Sequence, residues 1–473
     1  MSRDSSGEVV AFRPRNSIRV ARPCWARFRS AERAFGARGT KGSFDLTLPE
    51  IWRIGDMSSK RSGKIARISF YGNFGAGNLG NECTLQAVIE QTRRRWPDAQ
   101  LLCFCTNPGD VRTRHNIAAF PSKAVDKTAA KRSGGRWPRG RLGRILLIAF
   151  HRLPLELIHW IKCLRALSCT DMLIVAGTGI VTDHCGSLAW PYEIFKLSTL
   201  AALCRVKLVF LSVGVGPIHR QLSRWFLKRS LALAHHRSYR DEASKQYLEK
   251  TGFNTERDLV CPDVVFGLLQ NNLVSGVRAG RRRVVGLGLK DYGSMERLGP
   301  KSFEEYLHTM AAFVSWLQEH GYGVRLLIGD IQYDTSVIEE FLDVLKSRKI
   351  PTDEPMLITE PALTVEELLR QVGQTEAVIS ARYHNLVMAL IQNKPIMALS
   401  EHPKLDSLAT DFGLAQYLLP LANLSPDVLI GRFKQLENNM ERLRPYIKAE
   451  LDKYRQALDA LFVTVVAESD ATA

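Results

Sequence analysis

Ile65-Ala66-Arg67-Ile68-Ser69-Phe70-Tyr71, followed at once by Gly72-Asn73-Phe74-Gly75-Ala76-Gly77-Asn78-Leu79-Gly80-Asn81-Glu82, is the stretch on which the fold turns. Its first part is a short apolar run of strand type, and a helical pattern follows the second part to about residue 96. Glycines and asparagines between a strand and a helix bring backbone N–H groups close to a ligand, although a tight structural turn needs the same residues. The spacing G-x-G-x-x-G occurs at Gly75, Gly77 and Gly80. No acidic residue closes a second strand about 20 residues on, so the loop is not a dinucleotide fingerprint.

The same grammar repeats outward from this loop. Residues 100–105 read as a second strand, and 171–176 and 206–213 are β-branched apolar runs that end in Gly177-Thr178-Gly179 and Gly214-Val215-Gly216, with a helical stretch at 192–203 between them. Shorter strands are expected at 238–240 and 259–260. After a basic linker at 278–283 a second alternation begins: strand 284–289, helix 302–320, strand 324–328, helix 335–348, helix 365–373, strand 377–380, helix 385–391, strand 395–399, and a long helical region from about 425. Strands alternating with helices and opening into glycine loops predict parallel sheets with the site at the strand C-terminal ends. The expected fold class is therefore α/β, with two Rossmann-like lobes facing across a cleft. The expected organisation is a basic, disordered N-terminal extension (1–63), an acceptor-side lobe (64–277) with a basic helical insertion (123–167), a donor-side lobe (278–424), and a C-terminal helical region and tail (425–473). Met57 has the look of a natural start, which would make the residues before it dispensable.

Charge distribution narrows the function classes. The net charge is +17 over 473 residues, with a pI near 9.6. Residues 1–63 carry +7 and residues 123–165 carry +9, leaving the remainder nearly neutral at +1. A dedicated nucleic-acid fold builds its basic face into the domain itself, so no specific nucleic-acid partner is expected. Residues 142–167 read as a basic, amphipathic helix pair, which fits peripheral contact with an anionic membrane surface and equally fits a solvated helix packed on the domain. The nine cysteines contain no C-x-x-C pair, and the reading calls for neither a metal site nor a disulfide framework. No N-terminal stretch resembles a signal sequence, and the most apolar span, 145–164, is interrupted by His151, Arg152, Pro154, Glu156 and Lys162. The expected location is the cytoplasm, with a peripheral contact at the inner face of the membrane.

In the second half, Ser380-Ala381-Arg382-Tyr383-His384-Asn385 lies between an apolar strand and an apolar helix. A guanidinium there can hold a carboxylate or phosphate in a bidentate fork, and an imidazole can move a proton near neutral pH. A loop-capping arginine beside a satisfied histidine would look the same in sequence.

These elements together match a known family. The segment from Phe70 through Glu82 resembles the G-N-x-G-D-E signature that opens the polysaccharide pyruvyl transferases. Asp171 through Gly179 resembles their D-x-x-I-x-G-G-G element, and Arg240-Asp241 with Ser244 resembles their R-D/E-x-x-S segment. Arg382-Tyr383-His384 looks like their R-x-H motif, with Lys404 standing where the family carries a later lysine. Two positions depart from the pattern: Asn81 replaces the usual Asp, and Ala176-Gly177-Thr178-Gly179 replaces the glycine triplet.

What the resemblance implies is a GT-B-like fold and transfer of a pyruvyl group from phosphoenolpyruvate to a sugar, giving a pyruvate ketal, with the donor as co-substrate and no further cofactor. The acceptor would be a glycan or a lipid-linked sugar. The family's donor-binding positions fall on Arg240, Arg382, His384 and Lys404. His384 is the candidate acid, and Glu82 or Asp183 could accept a hydroxyl proton or serve as structural partners. The acceptor-side loop would comprise Gly75, Gly77, Asn78, Gly80, Asn81, Glu82, Gly177, Gly179 and His184. Two other functions remain compatible with such a chain: a nucleotide-sugar glycosyltransferase on the same architecture, and a non-catalytic binding subunit.

Overall fold

Apolar runs too short for a helix and buried on both faces are what a parallel strand between two helix layers requires. The computed structural model of the protein, which describes residues 65–124, 153–183, 187–268, 282–291, 300–331 and 333–470, shows how the chain meets that requirement twice. The expected N-terminal extension, the Met57 start, the first part of the basic insertion and His184 lie outside the described residues.

The first lobe runs β1 (Arg67–Tyr71), α1 (Leu79–Arg95), β2 (Gln100–Cys105), α2 (Pro108–His115), β3 (Ala118–Pro121), α3 (Leu153–Ser168), β4 (Met172–Ala176), α4 (Ala189–Leu203), β5 (Lys207–Val213), α5 (Gln221–Ala232), β6 (His236–Tyr239), α6 (Glu242–Lys250) and β7 (Leu259–Val260). The second runs β8 (Val284–Gly288), α7 (Pro300–Glu319), β9 (Gly323–Leu327), α8 (Asp334–Ser347), β10 (Leu357–Ile358), α9 (Val365–Gly373), β11 (Ala377–Ser380), α10 (Tyr383–Ile391), β12 (Ile396–Ser400), α11 (Pro403–Asp411) and β13 (Leu418–Pro420), and closes with α12 (Pro426–Asp470).

Among the described residues the strands form a seven-stranded sheet of order β3-β2-β1-β4-β5-β6-β7 and a six-stranded sheet of order β10-β9-β8-β11-β12-β13. The pairings within both are parallel; Ile68 faces Leu101 on one side and Met172 on the other, and Ser380 faces Gly288 and Ala398. Strand order reverses between β1 and β4 and again between β8 and β11. In such sheets the connections leave these neighbours in opposite directions, opening a crevice beyond their carboxyl ends. The loops after β1, β4 and β11 carry three of the motifs read from the sequence, while Arg240 follows β6 and Lys404 follows β12.

One face of the first sheet is covered by α3 to α6. Phe104, Leu173 and Phe210 are fully buried there against Cys163, Leu197, Leu227 and Leu248, each large apolar side chain contributing roughly 1.5–3 kcal/mol. On α1, Asn78 caps the N-terminus by accepting from the Asn81 N–H at 3.1 Å, and Arg93, Arg94 and Arg95 fill the last turn, where they suit the helix dipole.

The long helix α12 belongs to both halves. Its Phe433 packs on Phe313 and Tyr322, and Arg444 pairs with Glu376 at 3.0 Å, all in the second lobe. Further on, Tyr454 stacks edge-on against Phe266, Asp459 pairs with Arg95 at 2.7 Å, and that guanidinium lies 4.5 Å from the Phe462 ring, all against the first lobe.

Most expected elements lie within two or three residues of their observed bounds. The basic helix pair is described only in part, as the single helix α3. The chain also has elements that the apolar periodicity did not announce: α2, β3, α5, α6, β10, α11 and β13.

Candidate active site

The loop after β1 is held open by its own hydrogen bonds and then fastened to the second lobe. Gly75 and Gly77 take left-handed φ values of 75° and 79°, which only glycine adopts without strain. The Asn81 amide donates to the Asn73 carbonyl at 3.0 Å, a bond that an aspartate could not make. Leu79 N–H donates to Gly329 O at 3.0 Å, Ile331 N–H donates to Gly77 O at 2.9 Å, and Asn78 Nδ2 donates to Asp330 Oδ2 at 2.9 Å. At Gly80 the backbone presses against a side chain from the other lobe, since a Cβ there would overlap the ring of His384.

His384 sits one residue inside α10, whose N-cap is Arg382. Ser380 shapes the preceding turn: its hydroxyl accepts from Arg382 N–H at 2.9 Å. The Arg382 guanidinium is ion-paired with the buried Asp334, whose other oxygen accepts from the N–H groups of Gly329 and Asp330 at 2.8 and 2.9 Å. Burial pushes the Asp334 carboxyl up, with Arg382 opposing. Arg382 therefore braces the very loop that meets Gly77 and Leu79.

Arg240 arrives from the first lobe, at the end of β6. Its guanidinium lies 5.2 Å from the Tyr383 ring, 3.4 Å from Asp263 Oδ2 and 3.5 Å from Asp241 Oδ2. Glycines make room for it: a Cβ on Gly214 would stand 2.6 Å from Arg240 Nη2, and Gly179 lies directly behind Gly214. Lys404, in the first turn of α11, places its ammonium 5.7 Å from the same Tyr383 ring. Arg240, Tyr383 and Lys404 line a pocket with Asp241, Asp263 and Asp411, enclosing about 320 Å³ of empty space including its open mouth. Each of those carboxylates has a further partner besides: Asp241 caps α6 through Ser244 N–H, Asp263 accepts from Val265 N–H, and Asp411 accepts from the Tyr454 hydroxyl.

The cations crowd one another. Burial, followed by Lys404, Arg240 and Arg382, pushes the His384 imidazole down to about 3, so the ring is neutral at any physiological pH. Burial and the two arginines bring the Lys404 ammonium down to about 8. Lys290, two residues beyond β8, is brought down to about 7 by burial, Lys404 and Arg382, although it is ion-paired with Glu401. Three cationic side chains around a neutral imidazole, with a fourth close behind two of them, make a site suited to a ligand with several negative charges.

The remaining candidates are placed differently. Glu82 is fully buried; its carboxylate accepts from Gly75 N–H at 2.8 Å and lies 3.0 Å from His115 Nε2, inside the first lobe. Asp183 is also buried. Burial acts to raise its carboxyl, but N–H bonds from Arg220 and His219, both 2.8 Å, hold it below the ordinary value. Gly177 lies against the Ser212 carbonyl, under the loop that carries Gly179. The structure thus brings Arg240, Arg382, His384, Lys404 and Gly80 together, while Glu82 and Asp183 serve the internal architecture of the first lobe.

A model of one family, polysaccharide pyruvyl transferase, matches residues 78–403, from the cap of α1 to the residue before Lys404. The chain belongs to the polysaccharide pyruvyl transferase family. Among solved structures, a Neisseria meningitidis UDP-GlcNAc 2-epimerase bound to UDP-GlcNAc is similar at 11% identity, covering 85% of this chain and 100% of its own, with a TM-score of 0.53. A glycosyltransferase from Rickettsia africae is similar at 10% identity, covering 86% and 99%, with a TM-score of 0.51. At these identities the likeness is one of fold, the two-lobed GT-B-like architecture. Comparison with curated proteins returned no match.

For this pyruvyl transferase family member, sequence reading missed Lys290, Asp334 and the ring of Tyr383. The signal for Lys290 was a lysine just past the end of an apolar strand run, the position from which the loops of a parallel sheet supply ligand-binding groups. Asp334 carried no sequence signal beyond its place at a helix start.

Proposed function

We propose that the protein transfers the pyruvyl group of phosphoenolpyruvate to a sugar of a polysaccharide or glycan precursor, free or lipid-linked, forming a pyruvate ketal. The observation that carries this reading is the crowding of Arg240, Arg382 and Lys404 around the neutral His384 ring, with Lys290 close to Lys404 and Arg382. A donor with a phosphate and a carboxylate needs several fixed cations, planar forks for the oxyanions and point charges beside them.

The reaction needs a proton on the donor's methylene carbon, attack of one sugar hydroxyl at the neighbouring carbon, and departure of phosphate with the electron pair of its C–O bond. The second hydroxyl then closes the ketal. Of the two hydroxyl protons released, one balances the new methyl group and one leaves with phosphate. In this reading the donor's charge offsets the cations and restores basicity to His384, which passes the proton; Lys404, at about 8, and Lys290, at about 7, can exchange protons near neutral pH. No cofactor beyond the co-substrate enters. Because phosphoenolpyruvate is a cytoplasmic metabolite, the reading puts the protein on the cytoplasmic side.

The test is incubation of the full-length protein with phosphoenolpyruvate and a panel of galactosides, mannosides and glucosides, following phosphate release and product mass. Phosphoenolpyruvate is expected to raise the melting temperature by binding the native state. Protection by a nucleotide sugar with none by phosphoenolpyruvate would replace this reading with that of a glycosyltransferase.

A further inference from the structure

Helices on a protein surface normally turn charged residues to water. On α3 large apolar residues share the outward side with the charges. His159, Cys163, Ala166 and Leu167 face the first sheet, whereas the outward arc carries Leu153, Leu157, Ile158, Ile161 and Leu164, each between 37% and 56% exposed. The neighbouring helices continue this surface. Trp160 of α3 donates to the Tyr192 hydroxyl of α4 at 2.8 Å, the Tyr192 ring meets Phe226 of α5, and Phe226 touches Trp225, itself 46% exposed.

The charge on this surface has one sign. On α3, α4 and α5 the carboxylates are Glu156, paired with the buried Lys196 at 2.9 Å, and Glu193, which is buried. Lys162, Arg165, Arg220 and Arg229 are exposed around the apolar residues, and the Arg229 guanidinium lies 5.8 Å from the Trp225 ring. The +9 charge of residues 123–165 has the same sign.

We infer that the outer layer formed by α3, α4 and α5 docks on an anionic lipid surface. The apolar side chains enter the headgroup boundary, Trp and Tyr sit at its level, and the cations meet lipid phosphates. A second copy of the chain is the poorer occupant, because the same face would bring cations against cations with no exposed carboxylate to receive them. None of the residues of the cation cluster around His384 lies on these three helices. The inference does not depend on the pyruvyl reaction.

The test is flotation of the full-length protein with vesicles of phosphatidylcholine alone and with vesicles in which roughly a third of the lipid is phosphatidylglycerol. At low salt, binding to the anionic vesicles is expected to be at least about tenfold stronger, falling as salt screens it. Leu157→Ser with Ile161→Ser, and separately Arg165→Glu with Arg229→Glu, are each expected to cut anionic binding about tenfold or more with melting temperature and phosphate release preserved. Equal binding to both vesicles, or wild-type binding by both variants, would overturn the inference. So would a dimer in solution that Ile161→Ser dissociates, since the face would then be occupied by a second copy.

Discussion

The two lobes treat their charged groups in opposite ways. In the first, the buried Glu82 is saturated, with Gly75 N–H on one oxygen and His115 beside the other, and the buried Asp183 takes two backbone N–H bonds on one oxygen; each serves to hold a loop. In the crevice shared with the second, Arg240, Arg382 and Lys404 crowd His384, with Lys290 close to Lys404 and Arg382; three of the four cations have carboxylate partners, yet burial, followed by the neighbouring cations, pulls the Lys290, Lys404 and His384 side chains down. An acid held by N–H donors marks architecture, whereas cations crowded beside a buried neutral imidazole mark a place for an anionic ligand.

That contrast can be broken most sharply at His384. His384→Ala is expected to lower turnover by about 10²–10⁴-fold with the melting temperature nearly unchanged, read by phosphate release against thermal unfolding. Undiminished turnover would remove the imidazole from the mechanism. On the saturated side, Glu82→Gln is expected to do the reverse. Stability should fall by about 1–3 kcal/mol, as the Gly75 and His115 contacts weaken, while turnover per folded molecule survives; denaturant unfolding alongside initial rates would show it.

The smallest effect concerns pH. An ammonium with a native value of about 7 or 8, against the ordinary 10.5, binds fewer protons in the native state than in the unfolded state over the window between. Stability should therefore rise with pH from about 7 toward 10. In the protein without donor the melting temperature is expected to climb by a few degrees over that window, and Lys404→Met should flatten the climb. Phosphoenolpyruvate, which favours the charged ammonium groups, should flatten it too. A slope unaffected by either would mean that these ammonium groups are not depressed at all.

Much of this contrast was legible before any coordinates. Strands buried on both faces are continuous apolar runs, so β1, β2, β4, β5, β8 and β11 could be read with their loops, the last of which carries Arg382 and His384, while Arg240 follows the shorter β6. What escaped reading was either short and polar or made by distance. The eight residues of α2, Pro-Gly-Asp-Val-Arg-Thr-Arg-His, bury only Val111, yet Asn107 at the cap and Pro108 at the first turn were a usable start signal. Lys290 acquires its environment from Arg382 and Lys404, more than ninety residues away, which no local pattern encodes. Glu82 looked like an acid poised over a glycine loop, because sequence shows its proximity to the loop but not that Gly75 and His115 enclose it.

The last helix has a consequence for biosynthesis. Tyr454, Asp459 and Phe462 leave the ribosome well over a hundred residues after their first-lobe partners Phe266 and Arg95. The half of the molecule translated first must wait, with that flank bare, until the last part of α12 has emerged. A nascent chain stalled before residue 450 should accordingly be cleaved by protease around the segment bearing Phe266, and become resistant there once the remaining turns of α12 emerge.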